Sequence, residues 1–343
     1  MTKIYLIRHA EAEGNIYRRL HGWFDSRLTH NGARQVEALR ERFAAVPVDA
    51  VYASDLFRTR ETAKAVYLPK GLPLHTDPRF REVNAGEWEN RCFGDLERTE
   101  PEQLRRFLRD PEGWIAPGAE TYEQYSARFL DGLRAAAAAN PGRAIAVFSH
   151  GCVMSGSLHR LLGLEHNSSV CDNTGVSLLC WEAGRFTAEY LYDNSHLSPE
   201  ISTRARQRWW REHGGAFNLW FRDPLPGDAA LCDPLWLPPR GLRTRVAVLG
   251  EKPVGCVCTG DRELSLLYLL PEYRHLRMGD QLLGEAVMDL RARGVDRLEL
   301  GVPAANVEAL AFFSRHGGRI LRTDDGYTVF GLEIGAPERA GEA

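Results

Sequence analysis

The sequence lacks the features that mark membrane, secreted and nucleic-acid-binding proteins. No apolar run reaches the roughly 20 residues that a membrane-spanning helix needs, and the N-terminus enters an apolar strand at once instead of a signal peptide. Basic residues are not in excess, since the formal net charge is −3, which argues against a polyanionic partner. We therefore expect a cytoplasmic protein whose partners include neither nucleic acid nor a membrane.

Cysteine is present, but its spacing is not that of a disulfide framework or a metal site. The seven cysteines are an odd number and contain no CxxC pair, and most lie in apolar runs. Cys256 and Cys258 share one face of a predicted strand, which is a packing pattern. We therefore predict reduced cysteines in the core and no metal site.

The chain is long enough for two domains that each bury a core, with 343 residues and 44% hydrophobic content. Strands alternate with helices in both halves, which predicts an α/β fold throughout. We predict a first domain over 1–200, a basic aromatic connector over 201–216, a second domain over 217–335 and a disordered tail over 336–343. The composition does not predict the oligomeric state.

Three predicted strands of the first domain lead to cationic or imidazole side chains. One apolar run ends at Arg8 and His9, a second leads into a helix with Arg58 in its first turn, and a third ends before His150. Ligands of open α/β sheets bind at the carboxyl ends of strands, and a helix N-terminus favours an anion. Because buried unpaired charge is costly, we predict that these four side chains meet around a phosphate group.

Helix caps and a proton donor complete the prediction for this domain. Thr29 is predicted to cap a helix over about 31–44, and Ser54 with Asp55 to cap the next helix, through Ala65. The acidic loop that follows is typical of a solvated surface. A phosphate pocket also needs a group that protonates the leaving oxygen, however, and we predict Glu82 in that role.

Residues 1 to about 198 resemble the histidine phosphatase superfamily, in its phosphoglycerate mutase-like branch. The matching segments are LIRHAEAEGN, LTHNGARQ, VYASDLFRTRETA, REVNAGEWE, PGAET, FSHG and DNSHL. The resemblance implies a three-layer α/β/α domain that acts on a small phosphorylated metabolite. It implies these site residues: His9 as nucleophile, Glu82 as proton donor, Arg8, Asn15 and Arg58 as phosphate ligands, and His150 in both the catalytic and the phosphate-binding set.

The departures from that family are mild. Ala10 stands where the family usually has glycine, and Asn84-Ala85 replaces a more usual Asp-Phe pair. The segment between Glu82 and His150 is short beside that of the cofactor-dependent mutases, which favours access of water and hydrolysis over a mutase reaction. No metal is expected, because the arginines and His150 carry the charge of the transferring phosphoryl group.

The connector, TRARQRWWREH, combines basic residues with Trp209 and Trp210. A basic aromatic helix can bind a membrane or nucleic acid, but at this length we predict that the tryptophans pack between domains.

The second domain then begins with a strand at 218–222 and a proline-rich turn. A hairpin follows over RVAVLG and VGCVCTG, and a strand at 263–270 leads into a basic, glycine-containing turn and a helix. Such a turn can hold a pyrophosphate.

Residues 217 to about 335 resemble the GCN5-related N-acetyltransferase (GNAT) family, which has a mixed α/β fold. Arg274 and Gly279 match the ends of that family's pyrophosphate loop, while Arg277 replaces its first glycine and either crowds the phosphate or adds a compensating charge. Phe313 stands where the family often has a tyrosine that protonates the thiolate. The resemblance implies acetyl-CoA as co-substrate and a small-molecule or peptide amine as acceptor. A domain that only senses acyl-CoA is the alternative. The implied cofactor-binding residues are Leu269, Arg274, Arg277, Gly279, Asp280, Asn306 and Phe313.

Overall fold

A computed structural model describes residues 1–164, 171–208, 217–230 and 241–337. The predicted packing of Trp209 and Trp210 and most of the predicted tail lie outside these residues. None of the described helices is both long and apolar enough to cross a membrane.

The first domain is built on a six-stranded sheet with the order β3-β2-β4-β1-β5-β6. Its strands are β1 (Thr2–Arg8), β2 (Ala50–Ala53), β3 (Leu74–Thr76), β4 (Ala144–Ser149), β5 (Val176–Glu182) and β6 (Arg185–Asp193). Strand β4 pairs in parallel with both β1 and β2, and β5 is antiparallel to β1. The three strands predicted to deliver the cationic groups are therefore neighbours, and their carboxyl ends meet at one edge.

Helices cover both faces of this sheet. They are α1 (Glu13–Tyr17), α2 (His30–Phe43), α3 (Phe57–Lys70), α4 (Phe93–Thr99), α5 (Pro101–Arg109), α6 (Tyr122–Ala138), α7 (Gly151–Leu162) and α8 (Thr203–Arg206). Along β4, Ile145 and Val147 belong to the core under α6 and α7, whereas Ala146 and Phe148 belong to the core under α2 and α3. This alternation is the strand period of two, and it confirms the three-layer prediction.

The helix caps were predicted with mixed success. Thr29 caps α2, since its Oγ1 accepts the N–H of Gly32 at 2.9 Å. The prediction of a cap by Ser54 and Asp55 is wrong, because the chain turns into α3 one residue later, at Leu56. The N–H of Phe57 is bound instead by Asp25, at 2.6 Å from Oδ2.

The described part of the connector packs on the first domain. The carbonyl of Ile201 accepts hydrogen bonds from the side chains of Asn31 and Gln35, at 3.0 and 2.7 Å. Thr203 donates to the buried carboxylate of Glu11 at 2.8 Å. Helix α8 therefore lies beside the loop that follows His9.

The second domain has two sheets that diverge. One has the order β10-β9-β8-β7 and the other the order β11-β13-β12. The elements are β7 (Trp220–Arg222), β8 (Arg243–Leu249), β9 (Lys252–Thr259), β10 (Leu264–Leu269), α9 (Met278–Ala292), β11 (Arg297–Pro303), α10 (Val307–Arg315), β12 (Arg319–Asp324) and β13 (Tyr327–Glu333). Between Glu263 and Glu299 a single bridge joins the two sheets. Among the described residues, β10 and β11 therefore separate beyond that point and leave a cleft.

Helix α1 of the first domain packs on α9 of the second. Ile16 and Tyr17 belong to the same apolar cluster as Leu283 and Val287 of α9. Two ion pairs lie beside this cluster and join the domains, Glu13 with Arg291 and Arg19 with Glu285. The short helix that follows His9 is thus part of the core of the second domain.

Candidate active site at the carboxyl edge of the first sheet

His9 lies at the end of β1 with its ring held in one orientation. Its side chain is 5% exposed, and Nδ1 lies 2.7 Å from the carbonyl of Ala10. Because a carbonyl only accepts, Nδ1 carries the proton and Nε2 keeps its lone pair. Burial, and then the charges of Arg58 and Arg8, hold the pKa of His9 well below its ordinary value. The ring is therefore neutral near pH 7, as a nucleophile requires.

His150 follows β4 and lies beside His9. The two ring centroids are 5.2 Å apart, and His150 is fully buried. Burial and the charge of Arg58 lower the pKa of His150 well below its usual range. Neither of its ring nitrogens has a hydrogen-bond partner among the described residues. A buried imidazole without a partner is costly, unless a ligand completes its bonds.

Two arginines, Arg8 and Arg58, lie beside these histidines. Arg8 donates from Nη1 to the carbonyl of Cys171 at 2.5 Å. Arg58 is 1% exposed and donates to the carbonyl of Gly22 at 2.7 Å and to Asp25 at 3.3 Å. In the part of the chain that the structure describes, the buried Nε atoms of both arginines have no partner. These N–H groups, together with His150, suit a tetrahedral anion.

Asn15 and Asn173 hold the loop that carries His9. The Oδ1 of Asn15 accepts the N–H of Ala12 at 2.9 Å and a bond from Asn173 at 3.2 Å. Its amide nitrogen is therefore the end that suits an anion, and the phosphate-binding role of Asn15 stays a prediction. Asn173 also donates to the carbonyl of His9 at 2.9 Å. Sequence reasoning missed Asn173, because only the pairing of β1 with β5 brings it there.

Glu82 reaches the same pocket from the loop after β3. Its Oε1 accepts the N–H groups of Val83 and Val153, and its Oε2 accepts that of Cys152 at 3.0 Å. The Trp23 ring donates to the backbone carbonyl of Glu82 at 2.9 Å, which holds the residue in place. Among the described residues, Oε2 accepts a single hydrogen bond, so that it has a second lone pair for a proton.

A cavity of about 320 Å³ adjoins these groups. Of the predicted site residues, Arg8, His9, Asn15, Arg58 and Glu82 line it. Several further lining residues were missed, namely Arg18, Phe93, Phe107, Arg204 and Gln207. For Arg18, the sequence offered a signal, because an arginine pair begins three residues after Asn15. The positions of the other missed residues depend on how α4, α5 and α8 fold over the sheet.

In the second domain, the predicted pyrophosphate loop lies at the N-terminus of α9. Arg277 precedes the helix at φ 57° and contacts Asp280, with Nη2 2.9 Å from Oδ2. Arg274 donates from Nε to the carbonyl of Leu269 at 3.0 Å. A Cβ at Gly279 would come 3.1 Å from the Phe312 ring, so this glycine lets α9 approach α10.

Asp280 is buried in the first turn of α9 and is bound by His316, whose Nε2 lies 3.0 Å from its Oδ1. Burial opposes ionisation, but this bond and the charges of His316 and Arg277 hold the pKa of Asp280 below its ordinary value. The Nε of Arg277 is buried and has no partner in the described ranges. An unbonded guanidinium N–H beside a helix N-terminus fits a pyrophosphate group.

The remaining predicted cofactor residues lie elsewhere in the second domain. Asn306 caps α10, since its Oδ1 accepts the N–H of Ala309 at 3.1 Å. Phe313 is buried in the core, with its ring 6.2 Å from that of Phe330. Their contact with a cofactor stays a prediction. Among the described residues, no group of three metal-ligating side chains forms a cluster.

Comparisons with known proteins agree with both resemblances. Residues 4–194 match the model of the histidine phosphatase superfamily (branch 1), and residues 203–318 match that of the acetyltransferase (GNAT) family. A probable phosphoglycerate mutase GpmB of Yersinia pestis (strain Pestoides F) is 34% identical over 164 residues, which are 48% of this chain and 76% of that protein.

Two solved structures resemble the first domain. Bacillus stearothermophilus YhfR is 27% identical with a TM-score of 0.56, and the match covers 58% of this chain and all of that one. A phosphoserine phosphatase from Entamoeba histolytica, in complex with 3-phosphoglyceric acid, is 26% identical with a TM-score of 0.51, over 58% of this chain and 100% of that one. The chain therefore belongs to the histidine phosphatase superfamily, and a GNAT acetyltransferase domain follows its phosphatase domain.

Proposed function

We propose that the first domain, residues 1–200, hydrolyses phosphomonoesters of small metabolites through a phosphohistidine at His9. The observation that carries the proposal is the ring of buried donors without a protein partner in the described residues, on Arg8, Arg58 and His150. They surround a neutral imidazole whose Nδ1 is tied to the carbonyl of Ala10. Only a ligand with several acceptor oxygens satisfies all of them.

The chemistry then proceeds in two displacements. His9 attacks phosphorus through Nε2 while the bond from phosphorus to the ester oxygen breaks, and Glu82 gives its proton to the leaving oxygen. Water next attacks the phosphohistidine, Glu82 takes its proton, and inorganic phosphate leaves. The arginines and His150 stabilise the charge on the transferring phosphoryl oxygens in both steps.

Steady-state hydrolysis of p-nitrophenyl phosphate by the full-length chain tests this mechanism. We expect His9→Ala to be inactive and to lose the acid-labile phosphoenzyme seen by rapid quench. Arg58→Ala should lose two to three orders of magnitude in kcat, because removing one preorganised donor costs about 3 to 4 kcal/mol of barrier. Arg60→Ala, on the same helix but outside the cavity lining, is the matched control. Near-normal turnover in His9→Ala would reject the assignment.

A phosphoglycerate mutase-type transfer is the second candidate for this domain. The 34% identity to a protein named a probable phosphoglycerate mutase favours it. The two reactions differ in the fate of the phosphoryl group on His9. Labelled phosphoenzyme mixed with an excess of a hydroxy acid separates them, since a mutase forms labelled phosphoester and a phosphatase forms inorganic phosphate.

For the second domain, residues 217–335, we propose acetyl-CoA binding and acetyl transfer to a small-molecule or peptide amine. Acetyl-CoA, when bound, supplies the acyl group as a thioester. The first-turn N–H groups of α9, with Arg277 and Arg274, would hold its pyrophosphate. The cleft between β10 and β11 supports the proposal, since it leaves backbone groups of both strands open to a ligand.

An acyl-CoA-sensing domain without turnover is the alternative, favoured by the buried Phe313, which has no proton to donate. Calorimetry with acetyl-CoA and a non-reactive analogue, combined with an acetyl-transfer screen over an amine panel, distinguishes the two. Binding together with product supports the transferase, whereas binding without product across the panel supports the sensor. Arg277→Met should weaken acetyl-CoA binding in both cases, and Arg322→Met, on the exposed strand β12, is the control.

A further inference from the structure

The part of the cavity lining formed by Arg18 and Phe93 is held by the second domain. Backbone bonds join the segment after α1 to the segment before α4, from Phe93 to the carbonyl of Arg18 at 2.9 Å and from Leu20 to that of Arg91 at 2.9 Å. Arg18 also places its guanidinium 4.6 Å from the centre of the Phe93 ring. Both side chains line the cavity.

Asn218 of the second domain fixes this arginine. It is 6% exposed, and its Oδ1 accepts from Nε of Arg18 at 2.9 Å. Its Nδ2 donates to Glu97 of α4 at 2.5 Å. One amide thus ties together the two elements that carry the cavity wall.

The backbone beside Asn218 fits α4 closely. A Cβ at Gly94 would come 2.4 Å from the backbone of Leu219. On the outer side of α4, Arg98 stacks over the Trp220 ring, with 4.6 Å between guanidinium carbon and ring centre. The strand that opens the second domain therefore packs against the cavity wall along several residues, which restricts the positions open to Arg18.

The charges in this wall favour an anion. Burial lowers the pKa of Arg18 to about 10, with Glu97 opposing the shift, so that the guanidinium stays charged near neutral pH. The neighbouring Arg19 is already neutralised by Glu285. Asp172, an acid in the lining, is saturated by donors that include the N–H of Asn173 and the hydroxyl of Ser202. Among the described residues, the cavity lining holds five arginines and two acids, Glu82 and Asp172, so that its net charge favours an anion.

We propose that Arg18 recognises a second anionic group of the substrate, and that Asn218 is the positioning residue that aims it. The proposal rests on the phosphatase function proposed above. A cavity of about 320 Å³ is at the small end for ligand sites, so the substrate class is a short-chain phosphomonoester that also carries a carboxylate or a second phosphate. The Phe93 ring holds the guanidinium plane while the anion binds its edge.

Matched substrate pairs test the proposal on the full-length chain. Phosphoserine differs from phosphoethanolamine by its carboxylate, and 3-phosphoglycerate differs from glycerol 3-phosphate in the same way. A bisphosphate compared with the corresponding monophosphate tests whether the second anionic group is a phosphate. We expect the wild type to favour one anionic member at least about tenfold in kcat/KM, the value of one well-placed charged bond, and mainly through KM.

Five variants, one of them a control, then assign the preference to its residues. Arg18→Met should bring the ratio of kcat/KM between the two substrates of a pair close to one. Arg18→Lys should restore part of the preference for the anionic substrate. Asn218→Leu should lower the ratio through KM, and Asn218→Asp should lower it as well, because a carboxylate beside Arg18 offsets its charge as Glu285 offsets that of Arg19. Arg98→Met, in the same wall but outside the cavity lining, should leave the ratio unchanged. Melting curves check that each variant is folded.

The outcomes separate this inference from the function on which it rests. If wild type hydrolyses p-nitrophenyl phosphate in a His9-dependent way but does not discriminate within any pair, the second-anion site is rejected and the phosphatase stands. The second-anion site is also rejected if Arg18→Met lowers kcat/KM equally for both substrates of a pair. If no phosphomonoester is hydrolysed, the proposed function itself fails.

Discussion

Gly284 of α9 lies directly against Tyr17 of α1, across the boundary between the two domains. A Cβ at position 284 would come 2.5 Å from Cγ and 2.6 Å from Cβ of the tyrosine. Those atoms are at the root of a side chain that is 7% exposed. Rotation of the tyrosine side chain would not relieve the contact, because its Cβ does not move. The absence of a side chain at Gly284 therefore allows α9 to pack this closely on α1.

Gly284→Leu is expected to separate these helices and lower the melting temperature. Overpacking a buried contact costs about 1 to 3 kcal/mol, which outweighs the gain of about 1 kcal/mol in helix propensity. Calorimetric melting of the full-length chain measures the loss. Tyr17→Ala in the same chain should recover part of it, because the small side chain leaves room. Additive effects of the two substitutions would contradict the contact.

The buried ion pair between Glu13 and Arg291 should be sensitive to removal of one partner. The two side chains are 8% and 10% exposed, and their closest atoms are 2.8 Å apart. Arg291→Met leaves an uncompensated buried carboxylate, which typically costs about 3 to 5 kcal/mol. The double variant with Glu13→Gln should be more stable than Arg291→Met alone. Thermal melting compares them, with the exposed pair of Arg40 and Glu37 as the control.

The imidazole of His9 should titrate well below its ordinary value. Burial and the charges of Arg58 and Arg8 disfavour the imidazolium, so the nucleophile stays neutral as pH falls below about 6.5. Arg58→Met removes one of these charges and should raise the pKa, whereas Arg58→Lys should raise it less. NMR titration of ¹⁵N-labelled histidine measures both. Titration of wild-type His9 near 6.5 would contradict the arrangement.

Gly151 leaves room for the guanidinium of Arg8. A Cβ at position 151 would come 3.1 Å from Nε of Arg8, and Nη1 of that arginine is fixed at 2.5 Å from the Cys171 carbonyl. Gly151→Ala should push Nε away from the phosphate position and raise the Ki of orthovanadate about tenfold, the value of a modest charged bond. Gly227→Ala, where a Cβ meets nothing within 4 Å and the backbone is not left-handed, is the control for folding. An unchanged Ki would argue against a phosphate role for Nε.

The predictions from sequence were most accurate where chemistry and strand geometry coincide. Arg8, His9 and His150 follow apolar runs that fill parallel strands, and such strands end at one edge of a sheet. Their meeting followed from local pattern alone. The predicted cap of α3 was wrong because a distant residue takes that role. Asp25, about thirty residues away along the chain, binds the helix N-terminus in place of the nearby Ser54.

The sequence by itself determined the two fold classes, the strand ends that carry Arg8, His9 and His150, and the basic turn before α9. These features depend on residue type and short-range periodicity, both of which can be read from the sequence. Only the tertiary structure decided that α1 enters the core of the second domain and that Asn218 supports Arg18, 200 residues earlier. Contacts of that kind depend on which surfaces bury each other, and a surface that pairs with a distant partner has the same local pattern as one that faces water.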